Sequence, residues 1–267
     1  MKKLLLLALV IPLIGCQTIQ QKEVTEFNKN FNVGDVIENK IIVGNIQIPL
    51  LSGKQVIIAV QESTNKNSYT GGGVMPGTES ASSIGRIVLA NVKNNIVQNA
   101  TLLNVSLYSY TDLGWQVDRI CKRKDTIHFV AEDKNMKSQS CWIANHQRMS
   151  MGRKVPKVLR DAFKYAAKKD WNIPENMFGT AHMVTNNGDM ANIRYLFNPE
   201  IHNISAPKHM DWSSSDWHRD RIHMFKDKRI FADKIIVWGK KWHRIILEGL
   251  NKKDINVTET NMPEFRI

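Results

Sequence analysis

The richest run of chemistry-bearing side chains lies between Asp211 and Arg221. There Asp216-Trp217-His218-Arg219-Asp220-Arg221 mixes carboxylates, an indole, an imidazole and two guanidiniums. Histidine titrates near neutrality and a neighbouring carboxylate moves its pKa, so an imidazole flanked by acids is raw material for general acid–base work. On that ground Asp216, His218 and Asp220 are the catalytic candidates. Indole faces also suit sugar rings or cations, and guanidiniums suit phosphate or carboxylate, so the same run fits ligand capture. It reads equally as a helix start at Ser213-Ser214-Ser215-Asp216, with Trp217 packed on the core and Asp220 and Arg221 paired at the surface.

Other chemistries lack their spacing. Zinc sites favour HxxxH or CxxC patterns, and neither occurs. His218 and His223 are five apart, about 140° apart on a helix, which keeps them from sharing an ion. His182 falls on the apolar face of a hairpin and reads as a hydrogen-bonded core histidine. His146, shortly after Cys141-Trp142, is a second polar candidate. Gly72 to Gly77 have the glycine spacing of a phosphate loop, but Thr78-Glu79 stands where Lys-Ser/Thr is needed. No GxSxG elbow is present; a Ser-His-Asp set assembled in space is left open. The expectation is no metal and no cofactor.

The N-terminus carries a different chemistry. Met1-Lys2-Lys3 precedes an apolar stretch from Leu4 to Ile14, then Gly15-Cys16. A charged start and an apolar stretch of about eleven residues fit an export signal and fall short of a bilayer span. Leu13-Ile14-Gly15-Cys16 resembles the lipobox of bacterial lipoproteins. That resemblance implies cleavage after residue 15 and lipid on Cys16; Gln17 to about Asn30 is polar with no apolar period, so residues 16–30 read as a lipidated tether. No later segment has eighteen consecutive apolar residues, so lipid should be the membrane attachment. Gln17 is not the Asp that resembles an inner-membrane retention signal, so an outer-membrane site facing the periplasm is expected if the organism is Gram-negative.

The formal charge is +12, of which Lys2 and Lys3 supply two, leaving +10 after cleavage. A basic exported protein meets anionic lipid, lipopolysaccharide or another acidic envelope polymer; nucleic acid is not expected outside the cytoplasm. Hydrophobic residues make up 42% of the chain, which points to a globular protein. With Cys16 committed to lipid, Cys121 and Cys141 form an even pair in an oxidising compartment, read as a disulfide.

These residues need elements to hold them. Ile46-Gln47-Ile48-Pro49-Leu50 and Gln55 to Val60 flank Ser52-Gly53-Lys54, which suggests a hairpin or tight turn. Asn65 to Ser83 is rich in Asn, Ser, Thr and Gly and reads as a long mobile loop. Strands are expected over Ile84 to Val92, Thr101 to Tyr110 and Thr126 to Ala131. Asn187-Gly188 predicts a type I′ hairpin pairing Val184 with Ala191, His182 with Ile193, Thr180 with Tyr195 and Phe178 with Phe197. Val155, Val158, Leu159, Ala162 and Phe163 predict a helix over 155–169 that turns Lys154, Lys157, Arg160, Lys164 and Lys168 to solvent. Of these, Lys157, Arg160 and Lys164 are the candidates for contact with an anionic surface. Phe231, Ile235, Trp238, Trp242 and Ile245 repeat at four and three residues and predict a core-facing helix from about Asp227. Asp254 onward is polar and reads as a tail or edge. The fold class is α+β: a β-sheet-rich, antiparallel N-terminal half, then helices and a β-hairpin, in a single domain over 31–267.

Several pieces in this order resemble a family of uncharacterised bacterial exported proteins and lipoproteins. They are Ile48-Pro49-Leu50, Trp115 before Cys121, Cys141-Trp142 to Asn145-His146, Phe197-Asn198-Pro199-Glu200, Ser215-Asp216-Trp217-His218, and Lys228-Arg229 to Trp238-Gly239 with Trp242. The resemblance implies a shared fold and compartment and carries over no catalytic residue. The expectation is a membrane-anchored lipoprotein acting as a non-enzymatic binding or accessory module. The competing expectation is a periplasmic hydrolase of an envelope polymer, using His218 with Asp216 or Asp220.

Overall fold

The computed structural model of the chain describes residues 27, 29–69, 78–110, 114–150, 155–186, 188–208, 211–255, 257 and 262–263. Cys16, the signal segment and nearly all of 16–30 lie outside these residues, as do Lys154 and Asn187. In chain order the strands are β1 (Val36–Ile37), β2 (Lys40–Val43), β3 (Ile46–Pro49), β4 (Gln55–Tyr69), β5 (Thr78–Lys93), β6 (Ile96–Tyr110), β7 (His128–Lys134) and β8 (Ser138–Arg148). Helix α1 (Lys157–Lys168), β9 (Asn176–Asn186), β10 (Asp189–Phe197) and helix α2 (Lys226–Leu250) follow.

Eight strands make one antiparallel sheet in the order β1-β4-β5-β6-β10-β9-β8-β7, and β2 and β3 form a separate hairpin. The β9–β10 hairpin takes the four expected pairings, from Val184–Ala191 to Phe178–Phe197. It sits mid-sheet: β10 pairs with β6 and β9 with β8. A late segment therefore joins two earlier blocks of strands, and the chain folds as a single α+β domain with no boundary to cut. Between β5 and β6, Asn94 and Asn95 adopt φ of 52° and 59°, left-handed angles that asparagine tolerates and tight hairpin turns require.

Strand alternation sorts the two faces. Trp142 and Ala144 of β8, Phe178 and Val184 of β9, and Ile193, Tyr195 and Phe197 of β10 meet Phe231, Ile235, Trp238, Trp242 and Ile246 of α2. The helix stripe is as expected except at its end, where Ile246 is buried and Ile245 only half-buried. Tyr195 Oη donates to Pro49 O at 2.8 Å, which pins the β2–β3 hairpin to this layer. On the opposite face, Val158 and Ala162 of α1 cover β4 to β6 around Ile58, Val88 and Leu102. The far end of that face is covered by residues 114–127, where Ile120 and Cys121 pack on Cys141, Ile143, Ala181 and Met183.

Four local expectations are corrected. Ser52-Gly53-Lys54 does not close a hairpin: β3 pairs with β2 and β4 with β5, and Gly53, at φ 86°, turns the chain from one layer to the next. The stretch from Asn65 to Ser83 is largely strand, because β4 and β5 stay in register out to Tyr69 and Thr78; residues 70–77 lie outside the described residues. A backbone ladder needs no apolar side chains to form, so composition misread it. Ser213 to Asp216 starts no α-helix. Ser215 Oγ accepts from the Trp217 N–H at 3.2 Å, a local bond that competes with helix, and α2 begins only at Lys226. Asp254 is not in a free tail, since it pairs with Lys40 at 2.6 Å while Ile255 and Val257 are buried in the core.

Cys121 and Cys141 are disulfide-bonded, with Cα atoms 5.2 Å apart. The bond closes a twenty-residue separation, worth about 3 kcal/mol in the chain-entropy picture. The Cys121→Ser/Cys141→Ser double variant should therefore melt roughly 6 to 12 °C below the parent by calorimetry. An unchanged Tm would show that the bond does not stabilise the folded state.

Candidate functional site

Between the cover of α1 and the cover of residues 114–127, a strip of sheet is left open as a cleft of about 340 Å³. Two rows of residues cross its floor. Ile143, Ala181 and Arg194 stand opposite one another on β8, β9 and β10, and the next row is Asn145, Gly179 and Leu196. The hollow exists because its centre is a glycine and an alanine. Polar groups stand around that centre: Asn145 and Gln147 on β8 and Arg194 on β10.

The wall is the segment after Gly114, and it is held tightly. Trp115 N–H donates to Met136 O at 2.7 Å, and Trp115 Nε1 donates to Gly188 O at 2.9 Å. Gln139 Nε2 donates to Trp115 O at 3.0 Å, and Gln139 Oε1 accepts from the Asp118 N–H at 3.0 Å. Asp118 Oδ1 then accepts from the Ile120 N–H at 2.8 Å, shaping the short 3-10 turn Ile120–Lys122 that carries Cys121. These bonds and the disulfide place Asp118, Arg119 and Arg123 on the cleft.

The cleft is electropositive. Arg194 is half-buried, and among the described residues its guanidinium has no carboxylate partner; Nη1 donates to Gln147 Oε1 at 3.4 Å. Burial lowers its pKa from the usual arginine value, Arg123 adds to that effect and Asp118 opposes it. Asp118 is itself engaged, since Oδ2 accepts from Asn192 Nδ2 at 3.3 Å. Arg123 is paired with Asp125 at 2.8 Å. Asn145 is 8% exposed, yet neither Oδ1 nor Nδ2 has a hydrogen-bond partner among the described residues. A buried amide left unpaired in this way costs on the order of 1 to 3 kcal/mol, which a native site tolerates where a ligand or function makes use of it.

None of the three catalytic candidates is among the residues that line the cleft. Asp216 is turned to Lys228, with Oδ2 3.5 Å from Nζ and both side chains nearly buried. His218 Nδ1 lies 3.6 Å from Asp220 Oδ2, and Asp220 also meets Arg219 at 3.3 Å on the surface. Trp217 is fully buried against Phe178 and Phe231, so its indole packs the core. Arg219 nevertheless reaches the cleft at one remove, because Nη1 donates to Lys124 O at 2.6 Å and steadies the wall. His146 contributes to the cleft wall, but its ring is on the α2 side, with Nε2 2.7 Å from Asn176 Oδ1 and its plane stacked over Trp217.

A second polar cluster, not anticipated as a unit, is buried under α2. His182 Nε2 meets Thr180 Oγ1 at 2.8 Å, and His182 Nδ1 meets His243 Nδ1 at 3.1 Å. His243 Nε2 meets Ser140 Oγ at 3.0 Å, and Ser140 Oγ donates to Glu132 Oε2 at 3.1 Å. His182 is thus a hydrogen-bonded core histidine, as the hairpin pattern led one to expect. Among the described residues no three His, Cys, Asp or Glu side chains gather as a metal site. No described helix is long and apolar enough to cross a membrane.

On α1, Lys157, Arg160, Lys164 and Lys168 are exposed, while Val158, Ala162 and Ala166 are buried and Leu159 and Phe163 half-buried. Lys157 pairs with Asp161, and Arg160 Nη1 donates to Val155 O at 2.7 Å, so part of the stripe is locally engaged.

Sequence reading missed the cleft for two reasons. Strand β8 was not anticipated, which hid Asn145 and Gln147, and only the apolar face of β10 was weighed, which hid Arg194. A signal existed: Asp118-Arg119-Ile120-Cys121-Lys122-Arg123-Lys124-Asp125 packs four cations around a bridging cysteine. No protein-family model, curated protein or solved structure matches the chain, so the cleft has to be read from its own geometry.

Proposed function

We propose that this chain is a lipoprotein of the bacterial cell envelope, held through lipid on Cys16, that captures a ligand in the cleft without making or breaking bonds. The observation that carries the reading is the cleft lining: guanidiniums and an unpaired buried amide, which bind, on a rigid sheet floor. Helix α1 covers the same face of the sheet that the cleft occupies. Attraction of Lys157, Arg160 and Lys164 to anionic lipid or lipopolysaccharide would turn that face, cleft included, toward the surface to which lipid tethers the domain.

The competing reading is a hydrolase of an envelope polymer, and the observation favouring it is the His218–Asp220 contact. One experiment separates them. Full-length lipidated protein in detergent is incubated with isolated envelope polymer, and retention and soluble fragments are both measured. Retention without fragments is expected. Fragment release that is lost in His218→Gln would establish the hydrolase instead. In cells, Cys16→Ser should release the protein from the membrane fraction or block its processing; an unlipidated mature terminus in the parent protein would overturn the anchor.

A further inference from the structure

We infer that the cleft takes an acidic sugar unit, with one oxyanion held by Arg194 and Arg119 and neighbouring hydroxyl or amide groups held by Asn145, Gln147 and Asp118. The inference rests on reading the cleft as the binding site and names the chemistry of its ligand.

The oxyanion follows from unmet charge. Arg194 is half-buried with an amide, not a carboxylate, as its partner, and a guanidinium drawn out of water favours a planar anion it can grip through two N–H groups. The guanidinium of Arg119 has no hydrogen bond or ion pair among the described residues, whereas Arg123 is spent on Asp125. Two cations are therefore available to one ligand.

The sugar follows from the rest of the lining. Asn145 offers an amide NH2 and a carbonyl oxygen, both buried and without a partner among the described residues. Gln147 Oε1 is drawn toward Arg194, which leaves its NH2 free of any described partner. Asp118 keeps acceptor capacity beyond its bonds to Ile120 and Asn192, and its negative charge beside the arginines disfavours a ligand that is all anion. Alternating donors and acceptors around a single cationic focus match a ring bearing one acid group and several hydroxyls. At about 340 Å³ the cleft is at the small end of ligand pockets. The oxyanion is a carboxylate or a phosphate, since the guanidinium fork serves both.

The test is calorimetric titration of full-length protein in detergent with glucuronate, glucose 1-phosphate, inorganic phosphate and glucose. Glucuronate or glucose 1-phosphate should bind, the better of the two identifying the oxyanion. Inorganic phosphate should bind more weakly than the better sugar acid, and glucose should give no signal. Arg194→Gln should weaken the better acid by roughly tenfold or more, and Arg119→Gln by several-fold. Lys93→Gln, exposed at the end of β5, should leave it unchanged. Circular dichroism checks the fold of each variant, and Arg119→Gln decides should Arg194→Gln not fold. The inference is overturned by a parent protein that binds neither acid, by affinity indifferent to both arginine changes, or by inorganic phosphate binding as tightly as the sugar acids. Polymer retention that survives such a result would leave the binding module standing and remove only this ligand class. Polymer cleavage would remove the binding reading itself.

Discussion

Acidification from pH 6.5 to pH 4 should strip the folded domain of several kcal/mol of stability, with His182 and His243 as the main source. Burial holds His243 down to about 4 from an ordinary 6.5, against a smaller opposing pull from Glu132. Burial, helped by the neighbouring His243, holds His182 well below 6.5. One proton arrangement satisfies all four contacts of the cluster. Thr180 donates to His182 Nε2, His182 Nδ1–H donates to His243 Nδ1, His243 Nε2–H donates to Ser140, and Ser140 donates to Glu132. A proton added to His243 would enter between two nitrogens 3.1 Å apart, one already protonated.

The sign is fixed by these lowered values. The unfolded chain takes up protons below pH 6.5 and the folded chain does not until about pH 4, so stability is full above 6.5 and falls as pH drops through that window. His243 alone should contribute about 2 to 3 kcal/mol of the loss. His128, His146 and His202 are also lowered by burial and act in the same direction. Asp125, lowered chiefly by its bond from Arg123, and Asp133, lowered chiefly by its bond from Ser138, act only below the ordinary carboxylate value of 3.8 and so outside this window. Urea unfolding at pH about 7 and about 4.5 measures the effect, and His243→Gln should remove a large share of the difference. Equal stability at the two pH values, or an unchanged difference in the variant, would refute the assignment.

The same cluster marks what the sequence could and could not disclose. Period-2 alternation across Asn187-Gly188 was enough to set the register of β9 and β10 residue by residue, because a one-residue slip would bury Asn192 and Arg194. It put His182 in the core. It did not reveal His243, which lies sixty-one residues away on the opposing helix and meets His182 only through packing of α2 on the sheet. The cleft was hidden in the same way. Its floor is drawn from three strands, of which β8 is distant in sequence from the β9–β10 hairpin, and its defining feature is the smallness of Gly179 and Ala181. Small residues inside a strand carry no periodic signal. The run at Asp216 to Arg221 had the most conspicuous side chains, yet Trp217 and Asp216 are spent on the core and on Lys228.

Gly179→Ala should be among the most damaging single changes in the domain, and it should act on stability and on the cleft together. Gly179 is central in the sheet, opposite Asn145 of β8 and Leu196 of β10. A Cβ there would lie 1.8 Å from Tyr195 O, 2.8 Å from Tyr195 C and 2.9 Å from Leu196 Cα. These are backbone atoms, so no rotamer change relieves the overlap and the β9–β10 ladder itself must shift. The Tyr195 peptide cannot move alone, because its side chain is fully buried and its hydroxyl holds Pro49. Displacement would pass to the β2–β3 hairpin on one side and to Arg194, next along the strand, on the other. Overpacking against immobile backbone in a core strand costs about 3 kcal/mol, or roughly 6 to 12 °C in Tm for a domain of this size. Calorimetry gives the first reading and sugar-acid titration the second, with affinity falling even where the variant remains folded at the working temperature. A Tm within about 2 °C of the parent would mean that the strands separate there easily, and the rigid floor assigned to the cleft would have to be abandoned.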